Sequence, residues 1–373
     1  MIIAGSELES CSDHSINLDV VALTPTSRHL LTHTSGISHP CWNPVLYQYV
    51  SSQGRPPVSL NSAGRVDRIL SFPLMFEPGT SWEYGAGLDW AGKVVERLTG
   101  MSLQQYMESN IWMPLGMDSC TFRLTERPDV QAKLVRKMTR EGLHHPHYGT
   151  TTKPNGRLIP VDDEDLTVSI GRDAKVVELP DDYCEEYEEG TDDLGGSGIY
   201  SSAPDFARLL HTLCFGDACD KILSKTMVDE MFTPQLSAST RAALISFFSI
   251  KEVRDIFGQG IGPIALDFGL GGLLVQEDVP SRSSSPMPGR PHTPQHVRGN
   301  INRSVSASPQ LSRYTRRRKG SMFWSSLQNI HWWMDRETGV SGVYASQLIP
   351  QGDPRSLHWL GRYEEMIYEK IGC

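Results

Sequence analysis

Hydrophobic positions take up a helical period at Leu88, Ala91, Val94, Val95 and Leu98, which recur at i, i+3, i+6, i+7 and i+10. This spacing predicts a helix with the stripe on one face, stopped by Gly100 as the left-handed residue past the last turn. Just upstream, Pro78-Gly79 marks a turn. Tyr84 is then expected on a glycine-flanked bend at the helix mouth, where a phenol either faces a cavity or packs over the helix start. A shorter helix is predicted from Thr26 as N-cap through His29-Leu30-Leu31, with Gly36 as its stop. Residues 37–75 read as loop and irregular helix, with Trp42, Tyr47 and Tyr49 available for a substrate mouth or for the core. Ser102-Leu103-Gln104-Gln105 is a capping box with Met101 and Tyr106 as its staple, and Pro114-Leu115-Gly116-Met117 closes the helix it starts. Further helices are expected after Ser202, with Pro204 in the first turn, and from Lys225 to Phe232 with Ser224 as cap. Near the end the period shortens to that of strands. Phe268–Val275, Gly320–Leu327, Gln328–Met334 and Val340–Leu348 are the candidates, with Asp335–Gly339 as a hairpin turn and residues 355–371 as a closing helix.

One segment breaks this order. Residues 280–319 contain no Asp or Glu, are rich in Ser and Pro, and end in Arg316-Arg317-Arg318-Lys319. Such a composition cannot bury enough apolar surface to offset its ordering entropy. It is expected to loop out between two neighbouring strands, leaving one domain made of residues 1–279 and 320–373. A nuclear-import or phosphorylation role, or translated non-coding sequence, are alternatives for this insert. Residues 125–195 are polar. His144, His145 and His147 read as a solvated loop, since no carboxylate or cysteine at ligand spacing accompanies them. The acidic run Glu178–Asp193 lacks the glycine and glutamate order of a calcium loop and reads as charged surface.

Composition then narrows the partners. A formal charge of −9 argues against nucleic acid and anionic membranes as partners. No apolar run approaches the roughly 18 residues of a membrane span, and the first residues are not a signal peptide. Seven widely spaced cysteines, odd in number and without a CxxC pair, suggest reduced thiols, a cytoplasmic location and no structural zinc. No cofactor and no metal are expected.

Three stretches together resemble the serine β-lactamase-related family, which includes class C β-lactamases, DD-peptidases, family VIII esterases and fungal acyltransferases of statin-type polyketides. They are Arg28-His29-Leu30-Leu31-Thr32-His33-Thr34-Ser35-Gly36, then Trp82-Glu83-Tyr84-Gly85-Ala86-Gly87-Leu88-Asp89-Trp90-Ala91-Gly92, and Leu194–Ser202. The wording around Tyr84 is most similar to the fungal acyltransferase branch. The resemblance implies an α+β fold: an antiparallel sheet with flanking helices beside a helical lobe, the active cleft between them. It also implies that Tyr84 is the catalytic base, that Trp324-Ser325-Ser326 binds substrate where relatives carry Trp-Gly-Gly, and that the Leu327 N–H serves the oxyanion. Ala86 stands where β-lactamases carry Asn, which disfavours β-lactam hydrolysis. Serines in place of two glycines are expected to narrow the acyl pocket. His33 and Ser35 are expected to hydrogen-bond a turn.

The family's chemistry needs a Ser-x-x-Lys helix, where the lysine cation touches both serine and tyrosine and lowers the phenol pKa from about 10. No lysine in this chain has a serine three residues before it, and Thr150-x-x-Lys153 lies in a polar loop. The expectation is therefore a serine acyltransferase or esterase acting on a small-molecule acyl ester or thioester, or on a carrier-protein-bound acyl donor. Its first strands and Ser-x-x-Lys helix are absent, and the chain as written is inactive. The alternative is a non-catalytic binding or scaffold protein.

Overall fold

The computed structural model describes residues 2–3, 18–20, 22–40, 42–53, 66, 72–136, 138–140, 150–152, 158–160, 176–178, 192–216, 219–250, 253–254, 257, 265–278, 316–348 and 351–372. Its centre is a five-stranded antiparallel meander: β1 (Leu266–Phe268), β2 (Leu273–Val275), β3 (Met322–Ser326), β4 (Ile330–Asp335) and β5 (Val340–Ala345), in spatial order 5-4-3-2-1. The β4–β5 hairpin closes on Asp335 opposite Val340, at the expected turn. The Asp335 carboxylate fixes that turn by accepting the Thr338 N–H and hydroxyl at 3.0 and 2.8 Å.

Phe268–Val275 is a tight hairpin and not one strand. The Gly269 N–H meets the Gly272 carbonyl at 2.8 Å, and the glycines let the backbone reverse within four residues. β2 and β3 are neighbours, with Leu273 opposite Phe323, so the long connection does join adjacent strands. Residues 280–315 lie outside the described residues. Arg316–Lys319 are described and belong to the fold. Arg317 is only 3% exposed, its guanidinium forks onto the buried Glu364, and it lies 4.7 Å from the Phe323 ring centroid.

The closing helix Pro354–Lys370 is capped by Asp353, which accepts the Ser356 N–H at 2.8 Å. It packs Leu360, Tyr363 and Tyr368 against Phe323 and Trp333 in the main core. In the same core lies a helix that hydrophobic periodicity did not reveal, Ala238–Ser249, capped by Ser237. Leu244 and Phe248, four apart, are its inward pair. The predicted helices Ala203–Phe215 and Lys225–Met231 form with the predicted caps, Ser202 and Ser224. A second cluster, with Leu210, Leu213 and Val228, packs on the sheet through Leu274, Met322 and Met334.

The helical lobe holds Gly87–Thr99 and Leu103–Met107, the latter continued by a wider π turn, Glu108–Trp112. The Ser102–Gln105 box is reciprocal, at 3.2 and 3.1 Å. Gly100 and Gly116 take the left-handed capping conformation (φ 70° and 64°). The face buried by Gly87–Thr99 differs from the predicted one. Gly87, Asp89 and Gly92 are buried, whereas Val94 and Leu98 are 42% and 80% exposed. Small residues win because the 194–198 loop packs directly on the helix. A Cβ on Gly92 would lie 3.3 Å from the Gly195 nitrogen, and the buried Asp89 accepts the Gly196 N–H at 2.9 Å.

Candidate active site

The tyrosine is placed by two loops that lock backbone to backbone. Ser27–Leu31 is helical, with Thr26 and His29 capping each other, but it stops at Thr32 and not at Gly36. His33 itself turns left-handed (φ 58°). That turn is secured from the tyrosine side, since the Glu83 N–H donates to the His33 carbonyl at 3.0 Å and the Gly85 N–H faces His33 Nδ1 at 3.4 Å. Gly85 is required by contact: a Cβ there would sit 1.9 Å from the Ile37 carbonyl oxygen. His33 thus holds a turn, as expected, and Ser35 accepts the Ile37 N–H at 3.3 Å.

Glu83 fastens the following loop. Its carboxylate accepts from the Ser38 hydroxyl and, at 2.9 Å, from the Asn43 amide. Asn43 in turn caps Pro44–Ser52, accepting the Leu46 N–H at 2.9 Å. Burial raises the Glu83 pKa, against the lowering effect of its two donors. Adjacent residues divide the work: Glu83 pins the loop, and the half-buried Tyr84 faces a cage of rings.

Five of these rings surround Tyr84. Centroid distances are 4.9 Å to His33, 5.4 Å to Trp324, 5.8 Å to His39, 6.0 Å to Phe257 and 6.2 Å to Trp42. Both imidazoles are buried. Burial pushes His33 down to about 3, helped by nearby His39, and His39 down to about 4. They are neutral at pH 7, so neither lends the phenol a positive charge.

The structure brings Tyr84 and Trp324 together and separates the two serines that follow. Side chains alternate along β3, so Trp324 and Ser326 share the face toward Tyr84 and Ser325 points the other way. Ser325 is buried beneath the sheet, where its hydroxyl accepts from the Gln351 amide at 3.1 Å. The expected narrowing by two serines therefore reduces to one, Ser326, whose hydroxyl donates to Gln328 at 2.8 Å. Leu327 opens the β3–β4 turn. Asn329 braces that turn, donating to the Leu348 carbonyl at 2.7 Å and accepting the Gly352 and Asp353 N–H groups at 2.9 and 3.2 Å.

The sequence of the Beta-lactamase family matches this chain over residues 20–362. The chain belongs to the beta-lactamase family. This family member is 30% identical over 333 residues to the acyltransferase calJ of Penicillium decumbens, a match covering 88% of this chain and 62% of that protein. It is 33% identical over 260 residues to the lovastatin esterase of Penicillium rubens, covering 68% of this chain and 55% of the esterase. Its fold matches simvastatin synthase of Aspergillus terreus (LovD6 mutant) with a TM-score of 0.69 and 28% identity, covering 95% of this chain and 68% of that one. The fold is the α+β arrangement of the β-lactamase family, as the motifs implied. The chain spans between about half and two thirds of the length of these two curated relatives.

Three contributors to the site escaped sequence reading: His39, Phe257 and the Ser38–Glu83–Asn43 link. Glu83 sits inside the tyrosine motif, yet its partners lie 40 and 45 residues away and share no periodicity with it. Trp42, one of the aromatics offered for a substrate mouth, does reach Tyr84, while Tyr49 packs beside Leu46 and Val50. His144, His145 and His147 lie outside the described residues. Asp192 and Asp193, at the end of the acidic run, bind protein groups: Lys93 pairs with Asp192 at 2.9 Å and Arg123 with Asp193 at 2.7 Å. Among the described residues no group of three His, Cys, Asp or Glu is placed to hold a metal, and no helix is long and apolar enough to cross a membrane.

Proposed function

We propose that this chain carries the tyrosine and oxyanion side of an acyl-transfer site acting on small-molecule acyl esters or thioesters, in the manner of the fungal acyltransferases and esterases it resembles. The observation that supports this most is the contact of Tyr84 with Trp324, 5.4 Å between ring centroids. It unites two motifs 240 positions apart at one place. In this reading a serine hydroxyl attacks the acyl carbonyl and its proton passes to Tyr84 and then to the departing alcohol or thiol. The Leu327 N–H takes the oxyanion. Trp324 and Ser326 border the acyl group, and Ser325 supports β3 from behind. A carrier-protein-bound acyl donor and a role in fungal-type secondary metabolism belong to the same proposal.

The nucleophile and its lysine are not among these 373 residues, since no Ser-x-x-Lys occurs in them. On their own, the 373 residues are proposed to be inactive as an acyl-enzyme. The test is hydrolysis and transfer of p-nitrophenyl butanoate by a version extended at the N-terminus with a Ser-x-x-Lys segment. Activity that falls at least 100-fold in Tyr84→Phe supports the reading. An extended chain that binds butanoyl esters yet never turns them over would favour a non-catalytic binding protein.

A further inference from the structure

Away from Tyr84, the helical lobe meets helix Ala203–Phe215 along an open cleft of about 410 Å³, enough for a small molecule. Half-buried Pro114, Leu115 and Ala207 supply its apolar wall. Arg208, His211 and Lys221, all exposed, border the rest, and no acidic residue lines the cleft among the described residues. None of these residues belongs to the rings around Tyr84.

Arg208 is mounted by one nitrogen. Its Nη1 donates to the Gly116 carbonyl at 3.0 Å and to the Asp205 carboxylate, and the buried Asp205 is itself fixed by the Ser119 N–H at 2.7 Å. The Nε and Nη2 edge, which matches a carboxylate through two parallel N–H bonds, has no partner among the described residues. Elsewhere in the chain that edge is filled. Arg127 forks onto Asp129 through Nε and Nη2 at 2.9 and 2.8 Å, and Arg317 forks onto Glu364 in the same way. A guanidinium already held by its neighbours loses little freedom when it takes a ligand. Asp205 offsets the Arg208 charge, so the net attraction comes from Lys221, which has no ion-pair partner among the described residues. His211 leans on Phe215, 4.4 Å between ring centroids, and extends the wall with a flat ring. One negative charge joined to an apolar body suits these surroundings.

We propose that this cleft is a second binding site, which takes a small amphipathic carboxylate. Its two oxygens meet the Nε–H and Nη2–H groups of Arg208, and its apolar body lies on Pro114 and Leu115. The inference does not depend on the acyl-transfer reading, and its test leaves that reading untouched.

The probe is phenylbutanoate, with phenylbutanamide as its uncharged counterpart, each titrated into the 373-residue chain by calorimetry at low salt. Expected are one acid bound per chain and an amide at least about ten-fold weaker. Arg208→Lys, which keeps the charge and loses the fork, should weaken the acid by about ten-fold. Lys221→Gln, at an exposed position, should weaken it by about three-fold, and Tyr84→Phe should leave it unchanged. Should Arg208→Lys fail to fold, the amide and Lys221→Gln decide the matter. Acid and amide binding alike, no acid bound at millimolar concentration, or an acid indifferent to both cleft variants overturns the proposal. Loss of acid binding in Tyr84→Phe would place the acid among the rings instead and overturn it equally.

Discussion

Replacing Arg317 with alanine tests whether the basic stretch before β3 is part of the folded core. Its guanidinium forks onto Glu364, with the two side chains 3% and 2% exposed. It also stacks 4.7 Å from the Phe323 ring centroid and 5.5 Å from that of Trp333. Beside it the buried Tyr368 hydroxyl donates to Asp335 at 2.8 Å, and burial followed by the Asp335 charge holds that phenol in its protonated form. A buried pair gains little net energy when intact, because desolvating both ions offsets their attraction. Removing one partner strands the other charge without solvent, and that costs about 3–5 kcal/mol. Lost ring contacts act in the same direction. Urea unfolding followed by tryptophan fluorescence should therefore show Arg317→Ala destabilised by about 3–5 kcal/mol. The double variant Arg317→Met, Glu364→Leu should recover most of that loss, since no charge remains buried. An Arg317→Ala protein within about 0.5 kcal/mol of wild type would refute the reasoning, because that is the range of an exposed surface arginine.

Other consequences are open to measurement. Deleting residues 280–315 should leave the melting temperature nearly unchanged, whereas deleting 280–319 should lower it through loss of Arg317; equal effects would contradict this boundary. Gly85→Ala should destabilise by about 1–3 kcal/mol or more in thermal unfolding, because its Cβ would collide with the Ile37 carbonyl at 1.9 Å. Acid should weaken the fold. His33, His39 and His331 have folded values near 3, 4 and 3, below the usual 6.5, so their stabilisation is present above pH 6.5 and is lost as pH falls toward those values. Asp89, raised to about 6 by burial, and Glu83, also raised, act oppositely, their contribution being lost as pH rises through the folded values. Between pH 6 and 5 the three imidazoles outnumber the two carboxyls, so stability in urea titrations should fall as the pH is lowered through that range; a flat profile would contradict these burials.

Elements set by short-range signals were legible in the sequence. Caps at Thr26, Ser102, Ser202 and Ser224, the Asp335–Gly339 hairpin and the closing helix each depend on residues within one turn of one another. Legibility failed where the deciding contact is distant. The stripe through Val94 and Leu98 promised burial, but Gly92 won because Gly195 approaches it from 103 positions away. Composition placed Arg317 at the basic end of a looped-out insert, and only the arrival of Glu364 on the last helix makes it a core residue. At the site, the motifs named Tyr84 and Trp324 but not His39 or Phe257, which carry no pattern of their own. Strand parity, invisible until the β3–β4 register was fixed by Ser325 opposite His331, is what turns Ser325 away from Tyr84.

The most direct test of the central claim is the mass of the intact protein after incubation with a fluorophosphonate or an activated butanoyl thioester. The 373-residue chain should stay unmodified, and a version extended with a Ser-x-x-Lys segment should gain one adduct on that serine at a rate that falls when Tyr84 is replaced by Phe. Loss of a serine nucleophile costs on the order of a million-fold in turnover, so the contrast is all or none on the timescale of the assay. Stoichiometric labelling of a serine in the 373-residue chain, or an extended chain that stays unlabelled, would contradict the account.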